Sequence, residues 1–228
     1  MARIGYVQPQ SASPDVKKIY DEKLRGRPIN LQKALAFAWR ACWRRFGLFA
    51  MVQLAIFFAW VALEVAVIAG QRLGVVWWAV AHLAFLVFFS GAQLGLLRIC
   101  LALCDGGEPT LRDAFACLAD GPRFLAAQLV YLLLVTAGGA LLLLPGLYLA
   151  ARYAFLGFAI ADGEPGLVRP FQHSAHLAAG SWGKVLALLF GVVVLNVLGA
   201  SLLGVGLLVT IPLSFLTMTA IYRQLGGD

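Results

Sequence analysis

Residues 184–223 read KVLALLFGVVVLNVLGASLLGVGLLVTIPLSFLTMTAIYR. Between Lys184 and Arg223 lie 38 residues without one Asp, Glu, Lys or Arg. A helix rises about 1.5 Å per residue, so a single helix of that length would be nearly twice as long as the ~30 Å hydrocarbon core is thick. The stretch therefore predicts two spans folded as a hairpin, with Gly199, Gly204 and Gly206 marking the bend. Arg123 to Asp162 repeats the arrangement, with 38 intervening residues, the single charge Arg152, and Gly138-Gly139 and Pro145-Gly146 bracketing the turn. Helices of about 17–18 residues are slightly short, and flanking Arg and Lys can snorkel to close the gap. A rival parse makes one hairpin re-entrant.

Upstream, Phe46 to Ala69 and Val75 to Leu103 give two more spans, separated by Gln71-Arg72 and ended by Asp105-Gly106-Gly107. The six expected spans run about 46–69, 75–103, 124–142, 145–161, 184–200 and 204–222. The whole chain agrees: its 228 residues are 61% apolar and 13% charged, with mean hydropathy +0.85. Soluble chains are about 45–50% apolar and about 25% charged. This balance excludes a disordered chain, a disulfide-rich secreted domain and a compact soluble enzyme. The expected fold class is all-α: a polytopic membrane protein of six transmembrane helices in three hairpins, each preceded by an interfacial amphipathic helix.

Charge placement orients those spans. The net charge is +7, from 18 Lys+Arg against 11 Asp+Glu. Ten basic residues lie at or before Arg45, and of the other eight only Arg72 falls on the opposite side of the six-span layout. This positive-inside bias predicts cytoplasmic termini in a bacterial inner membrane, with anionic headgroups as partners and no nucleic acid. Lys17, Lys18, Lys23, Arg25, Arg27, Arg40, Arg44 and Arg45 are the expected headgroup or partner contacts. Residues 1–29 form a basic arm in which Ser13-Pro14 starts a short amphipathic helix, and 30–228 form the membrane domain. No apolar h-region precedes the first span, so that span is expected to drive insertion. Cys42, Cys100, Cys104 and Cys117 fall on the reducing side and read as small buried hydrophobes.

The connections resemble one another. Leu31-Gln-Lys-Ala-Leu-Ala-Phe-Ala, Leu111-Arg-Asp-Ala-Phe-Ala-Cys-Leu and Leu167-Val-Arg-Pro-Phe-Gln-His-Ser each open a helical pattern that leads to a basic or Trp-bearing junction. Those junctions are Trp43-Arg44-Arg45, Arg123 and Trp182-Gly183-Lys184. Asn30 and Thr110 are expected N-caps, the latter in a capping box with Asp113. The reading is three units, each an interfacial helix and a hairpin.

Leu141-Leu-Leu-Leu-Pro-Gly-Leu-Tyr-Leu-Ala-Ala-Arg-Tyr-Ala-Phe resembles the membrane domain attached to some bacterial glycerophosphodiester phosphodiesterases and related small inner-membrane proteins. Gly95-Leu-Leu-Arg98, Gly107-Glu-Pro-Thr-Leu-Arg-Asp-Ala-Phe and Ile211-Pro212-Leu-Ser support that resemblance, which covers roughly 30–225. It implies a fold and no common activity. The phosphodiesterase barrel is missing, and the pattern departs at Asp162-Gly-Glu-Pro-Gly followed by Gln172-His-Ser-Ala-His. Residues 1–35 are similar to the N-terminal arm of carboxymuconolactone decarboxylase-like proteins, without that family's Cys-x-x-Cys, so no catalytic residue carries over.

Ionisable residues at membrane depth are functional suspects. Glu64, His82 and Arg152 lie at about 9–11 Å from the outer side by helical rise. Glu64 and Arg152 are expected to pair, with His82 nearby, as a packing element or as a polar site for transport. Gln93, Gln128 and Asn196 are expected to hydrogen-bond between helices, and Gly91/Gly95 and Gly138/Gly139 to permit close helix contact. His173 and His176 share a helix face but lack a third metal ligand, so no metal or cofactor is expected. No nucleotide-binding, metalloprotease or serine-nucleophile motif occurs. The expected role is a non-enzymatic accessory or scaffolding subunit, the alternative a small transporter or lipid-handling protein built on Glu64, His82 and Arg152.

Overall fold

The computed structural model describes residues 29–70, 72, 74–202 and 204–226. The arm that carries Lys17, Lys18, Lys23, Arg25 and Arg27 lies outside the described residues. Every regular element among the described residues is helical. In chain order these are α1 (Leu31–Arg44), α2 (Phe46–Ala69), α3 (Gly74–Cys104), α4 (Leu111–Phe115), a 3-10 turn (Leu118–Asp120), α5 (Gly121–Leu141), α6 (Leu143–Arg152), α7 (Leu156–Ala161), α8 (Val168–Ala178), α9 (Trp182–Ser201) and α10 (Leu207–Gly226).

Among the described residues, five stretches are long and apolar enough to cross a membrane: 46–69, 74–104, 111–141, 143–161 and 182–201. The first expected span matches the observed helix, the second, fourth and fifth shift by one or two residues at their ends, the third is the last part of a stretch that begins at 111, and the sixth is not among the five. α10 has the length of a span, 20 residues, but carries Thr210, Ser214, Thr217 and Thr219 around Pro212 and stands outside those five. Its polarity follows from its place. Leu216, Thr219, Ile221 and Tyr222 are buried against protein, so α10 does not need the uniformly apolar surface that lipid demands. Thr217 and Thr219 satisfy their hydroxyls by donating to Leu213 O and Phe215 O one turn back, each at 2.7 Å.

α3 and α10 are the hub. α3 packs against α2, α4, α5, α7 and α10, while α10 packs against α1, α3 and α9. Packing is uneven along the molecule. At one end the core gathers Leu94, Leu97 and Leu101 of α3, Phe155 and Ile160, Leu177, Val185 and the second half of α10. A second cluster joins Ala38, Cys42, Phe49, Val52, Ile99 and Leu216. At the other end the helices splay, and Leu141 and Leu144 at the α5–α6 turn are 80% and 78% exposed. Apolar surface of that extent cannot face water, so it belongs to the hydrocarbon or to a partner.

The three short helices lie at the packed end. Ala34, Ala114 and Pro170, each the fourth residue of the segments beginning at Leu31, Leu111 and Leu167, are buried. Asn30 caps α1 by accepting from Lys33 N–H at 3.0 Å. Asp113 accepts from the N–H and the hydroxyl of Thr110 at 2.7 and 2.8 Å, the expected capping box. The backbone N–H holds its carboxyl below the usual carboxylate range.

Close contact falls at the small residues. Gly95 sits against the carbonyl of Ala114, Gly91 against Leu118, and Gly146 against Gly139. Gln128 donates to Gln93 across α5 and α3 at 3.0 Å, and Asn196 donates to Ser214 across α9 and α10 at 2.9 Å. The stretch expected as one fourth helix is broken between Arg152 and Leu156. Ser174 plugs the break, accepting from Phe155 N–H and donating to Arg152 O, both at 3.1 Å. A side chain from a neighbouring helix thus satisfies backbone groups that an apolar medium would leave unpaired.

Candidate functional site

Two Asp-Gly turns organise the packed end. α3 ends at Cys104 and α7 at Ala161, and the following residues are Asp105-Gly106-Gly107-Glu108-Pro109 and Asp162-Gly163-Glu164-Pro165. The two ends fold alike. Gly106 N–H donates to Leu103 O and Gly107 N–H to Ala102 O; Gly163 N–H donates to Ile160 O and Glu164 N–H to Ala159 O. Both are Schellman caps, and each needs its glycine at positive φ, +78° for Gly106 and +99° for Gly163. The caps aim both aspartates at one residue from the last helix.

That residue is Arg223. Its guanidinium forks onto Asp162, with Nη1 to Oδ2 at 3.0 Å and Nη2 to Oδ1 at 3.2 Å. Nη2 also donates to Asp105 Oδ2 at 2.6 Å. Tyr222 donates its hydroxyl proton to Asp162 Oδ2 at 3.1 Å, and its oxygen lies 3.4 Å from His173 Nε2. His173 Nδ1 in turn lies 3.4 Å from Glu164 Oε1. Burial pushes the His173 pKa down, against the opposing pull of Glu164 and Asp162. One cluster therefore ties the ends of α3, α7 and α10 together through α8.

Arg98 and Arg123 make parallel ties. Arg98 pairs with Asp120 at 3.2 Å and donates to Ala161 O at 3.3 Å and Cys117 Sγ at 3.0 Å. Arg123 donates to Gly166 O and Glu164 O. Arg45 joins the α1–α2 junction to Glu108 at 3.2 Å. Arg40 and Arg44 are exposed and remain available to headgroups. The arginines that set the charge bias thus also fasten loops. The sequence reading missed this cluster, although the repeated Asp-Gly and Glu-Pro pairs were a usable signal.

Toward the splayed end, α2 and α3 bring together two of the three expected intramembrane residues. His82 Nε2 lies 4.0 Å from Glu64 Oε1. His82 Nδ1 is 2.8 Å from Trp78 O. A carbonyl only accepts, so Nδ1 carries a proton and Nε2 is the atom left to share one with Glu64. The Trp78 ring stacks on the imidazole at 4.4 Å. The pair is half-buried, the Glu64 and His82 side chains being 40% and 30% exposed.

Arg152 does not join them, which corrects the expected Glu64–Arg152 pair. Packing of α6 against α5, α9 and α8 puts Arg152 at the α8–α9 junction instead, beside Gly180 and Trp182. There Nη1 donates to Tyr148 Oη at 2.6 Å. His173 and His176 also part company: His173 turns inward to Tyr222, and His176 is exposed. Among the described residues no group of three or more His, Cys, Asp or Glu is placed to hold a metal. The four cysteines are free, with Cys42, Cys100 and Cys117 buried.

An all-helical body with five apolar, membrane-length stretches and a splayed apolar end defines the class: a membrane protein. No family model, curated protein or solved structure matches the chain.

Proposed function

We propose that the chain is a non-enzymatic accessory or scaffolding subunit of a bacterial inner-membrane assembly, with α2 and α3 forming its partner-binding face. The observation that carries this reading is the half-exposed Glu64–His82 pair. Ionisable groups partly open to hydrocarbon are costly, whereas a polar side chain on a neighbouring helix would satisfy them. The partner is a membrane helix of another protein or of a second copy. Arg152 lies apart from this pair, so the alternative, a small transporter or lipid-handling protein, has Glu64 and His82 without Arg152 beside them.

In this reading α10 is the sixth span, shielded from lipid by its neighbours. The packed end is cytoplasmic, because Arg45, Arg98, Arg123 and Arg223 gather there. Both termini are cytoplasmic, and the basic arm assists docking on headgroups or the partner. The likeness to the phosphodiesterase-associated membrane domain fits a fold that serves other proteins.

The test is site-specific photo-crosslinking in native membranes. Crosslinkers at Val65 and Leu83, which flank the pair, should trap one discrete protein. A crosslinker at Val193 on α9 should trap lipid. Lipid adducts alone at all three positions would contradict the reading.

A further inference from the structure

We propose that the cleft beside Arg152 binds the phosphate of an anionic phospholipid headgroup. This rests on membrane insertion but not on any protein partner. The cleft encloses about 90 Å³ between α6 and the α8–α9 junction, and Tyr148, Arg152, Ala178, Gly180 and Trp182 line it. About 10–15 Å³ of such space already admits one water, so the cleft has room for a tetrahedral oxyanion. No carboxylate lines it.

Arg152 is the cation of this cleft, and no ion pair among the described residues uses it. Its Nε is buried without an acceptor. Tyr148 fixes the guanidinium from two directions, accepting from Nη1 at 2.6 Å and placing its ring 5.7 Å below the charge. Tyr148 is itself held edge-on to Trp182, with centroids 6.2 Å apart. A guanidinium so held presents its remaining N–H groups as a fork, the geometry that phosphate oxygens accept. The Tyr148 hydroxyl keeps its own proton to donate.

The surroundings choose a lipid over a soluble ion. Trp182 begins an apolar helix and is half exposed, as expected of a ring at headgroup level. Phe190 and Val193 continue along α9 as an exposed apolar track for acyl chains. At headgroup level an arginine with no carboxylate partner is neutralised in place by a lipid phosphate.

Full-length protein, purified in detergent and stripped of lipid, is titrated with dioleoylphosphatidylglycerol, dioleoylphosphatidylcholine or inorganic phosphate and read by native mass spectrometry. Phosphatidylglycerol should bind with defined stoichiometry, and Arg152→Gln should weaken it by about tenfold. Arg152→Lys should recover part of the loss, Trp182→Ala should weaken binding, and Arg112→Gln should leave it unchanged. Lipid-free melting curves check folding, and Tyr148→Phe with Trp182→Ala carry the test if Arg152→Gln does not fold. Equal binding by wild type and the site variants would overturn the proposal. So would equal affinity for phosphatidylcholine, or competition by millimolar inorganic phosphate.

Discussion

Arg223 joins two carboxylates in unequal ways, and that inequality predicts unequal losses. The Asp105 arm is a single contact to a side chain 53% exposed, whereas Asp162 is forked and 35% exposed. An exposed pair contributes about 0.2–1 kcal/mol, so the Asp105 arm is set at about 0.5 kcal/mol. Hydrogen bonds to charged groups contribute about 1.5–3 kcal/mol when shielded. Discounted for partial exposure, the Asp162 arm is about 1–2 kcal/mol. Arg223→Gln should therefore cost about 2 kcal/mol in all, with Asp162 left facing only the Tyr222 hydroxyl. In double-mutant cycles, Arg223→Gln should couple to Asp162→Asn by about 1–1.5 kcal/mol and to Asp105→Asn by about 0.5 kcal/mol. Reversible unfolding in mixed micelles titrated with SDS, followed by circular dichroism, measures each corner. Coupling to Asp105 equal to or larger than that to Asp162, or additivity in both cycles, would refute the geometry argued from.

Glycine substitutions should separate by site in the same assay. Gly95→Ala drives a methyl into the Ala114 carbonyl and should cost about 1–3 kcal/mol, while Gly191→Ala meets nothing within 4 Å and should be neutral or stabilising by up to about 1 kcal/mol. Ser174→Ala removes the hydroxyl that bridges the break after α6 and should cost about 1–3 kcal/mol; an unchanged midpoint would mean the break is satisfied in another way. His173 predicts a pH effect. Burial lowers its folded pKa, so its contribution is full above the unfolded value of about 6.5 and is lost as pH falls through the lowered folded value. Melting temperature should drop on acidification, and His173→Gln should flatten that slope although Glu164, Asp162, His176 and Tyr222 remain; an unchanged slope would contradict the assignment.

The spans were legible because lipid imposes a simple demand: long apolar runs with charge at their ends. Phe46 to Ala69 is such a run, and its limits in the sequence are those of the helix. α10 was readable as a span only from its lack of charge, since its hydroxyls and Pro212 answer to neighbouring helices. The break after Arg152 was not legible, because it depends on Ser174 from another segment. Arg152 was misplaced because depth along a helix does not say which helices are neighbours, and α6 packs on α5, α9 and α8. His82 comes beside Glu64 because two long, unbroken helices form that hairpin. The Arg223 cluster needed tertiary closure, although the repeated Asp-Gly turns that aim its carboxylates are local sequence features.

In the proposed arrangement the chain spans six times, with its packed, arginine-tied end in the cytoplasm and α10 as the last span. Single cysteines in a cysteine-free background, probed in intact cells with a membrane-impermeant maleimide, test it directly. Cysteines at Arg72, Leu142 and Val205 should label from outside, whereas Glu108 and Val168 should label only after permeabilisation. Labelling of Val205 only after permeabilisation would remove the sixth span, and labelling of Glu108 or Val168 from outside would invert the orientation.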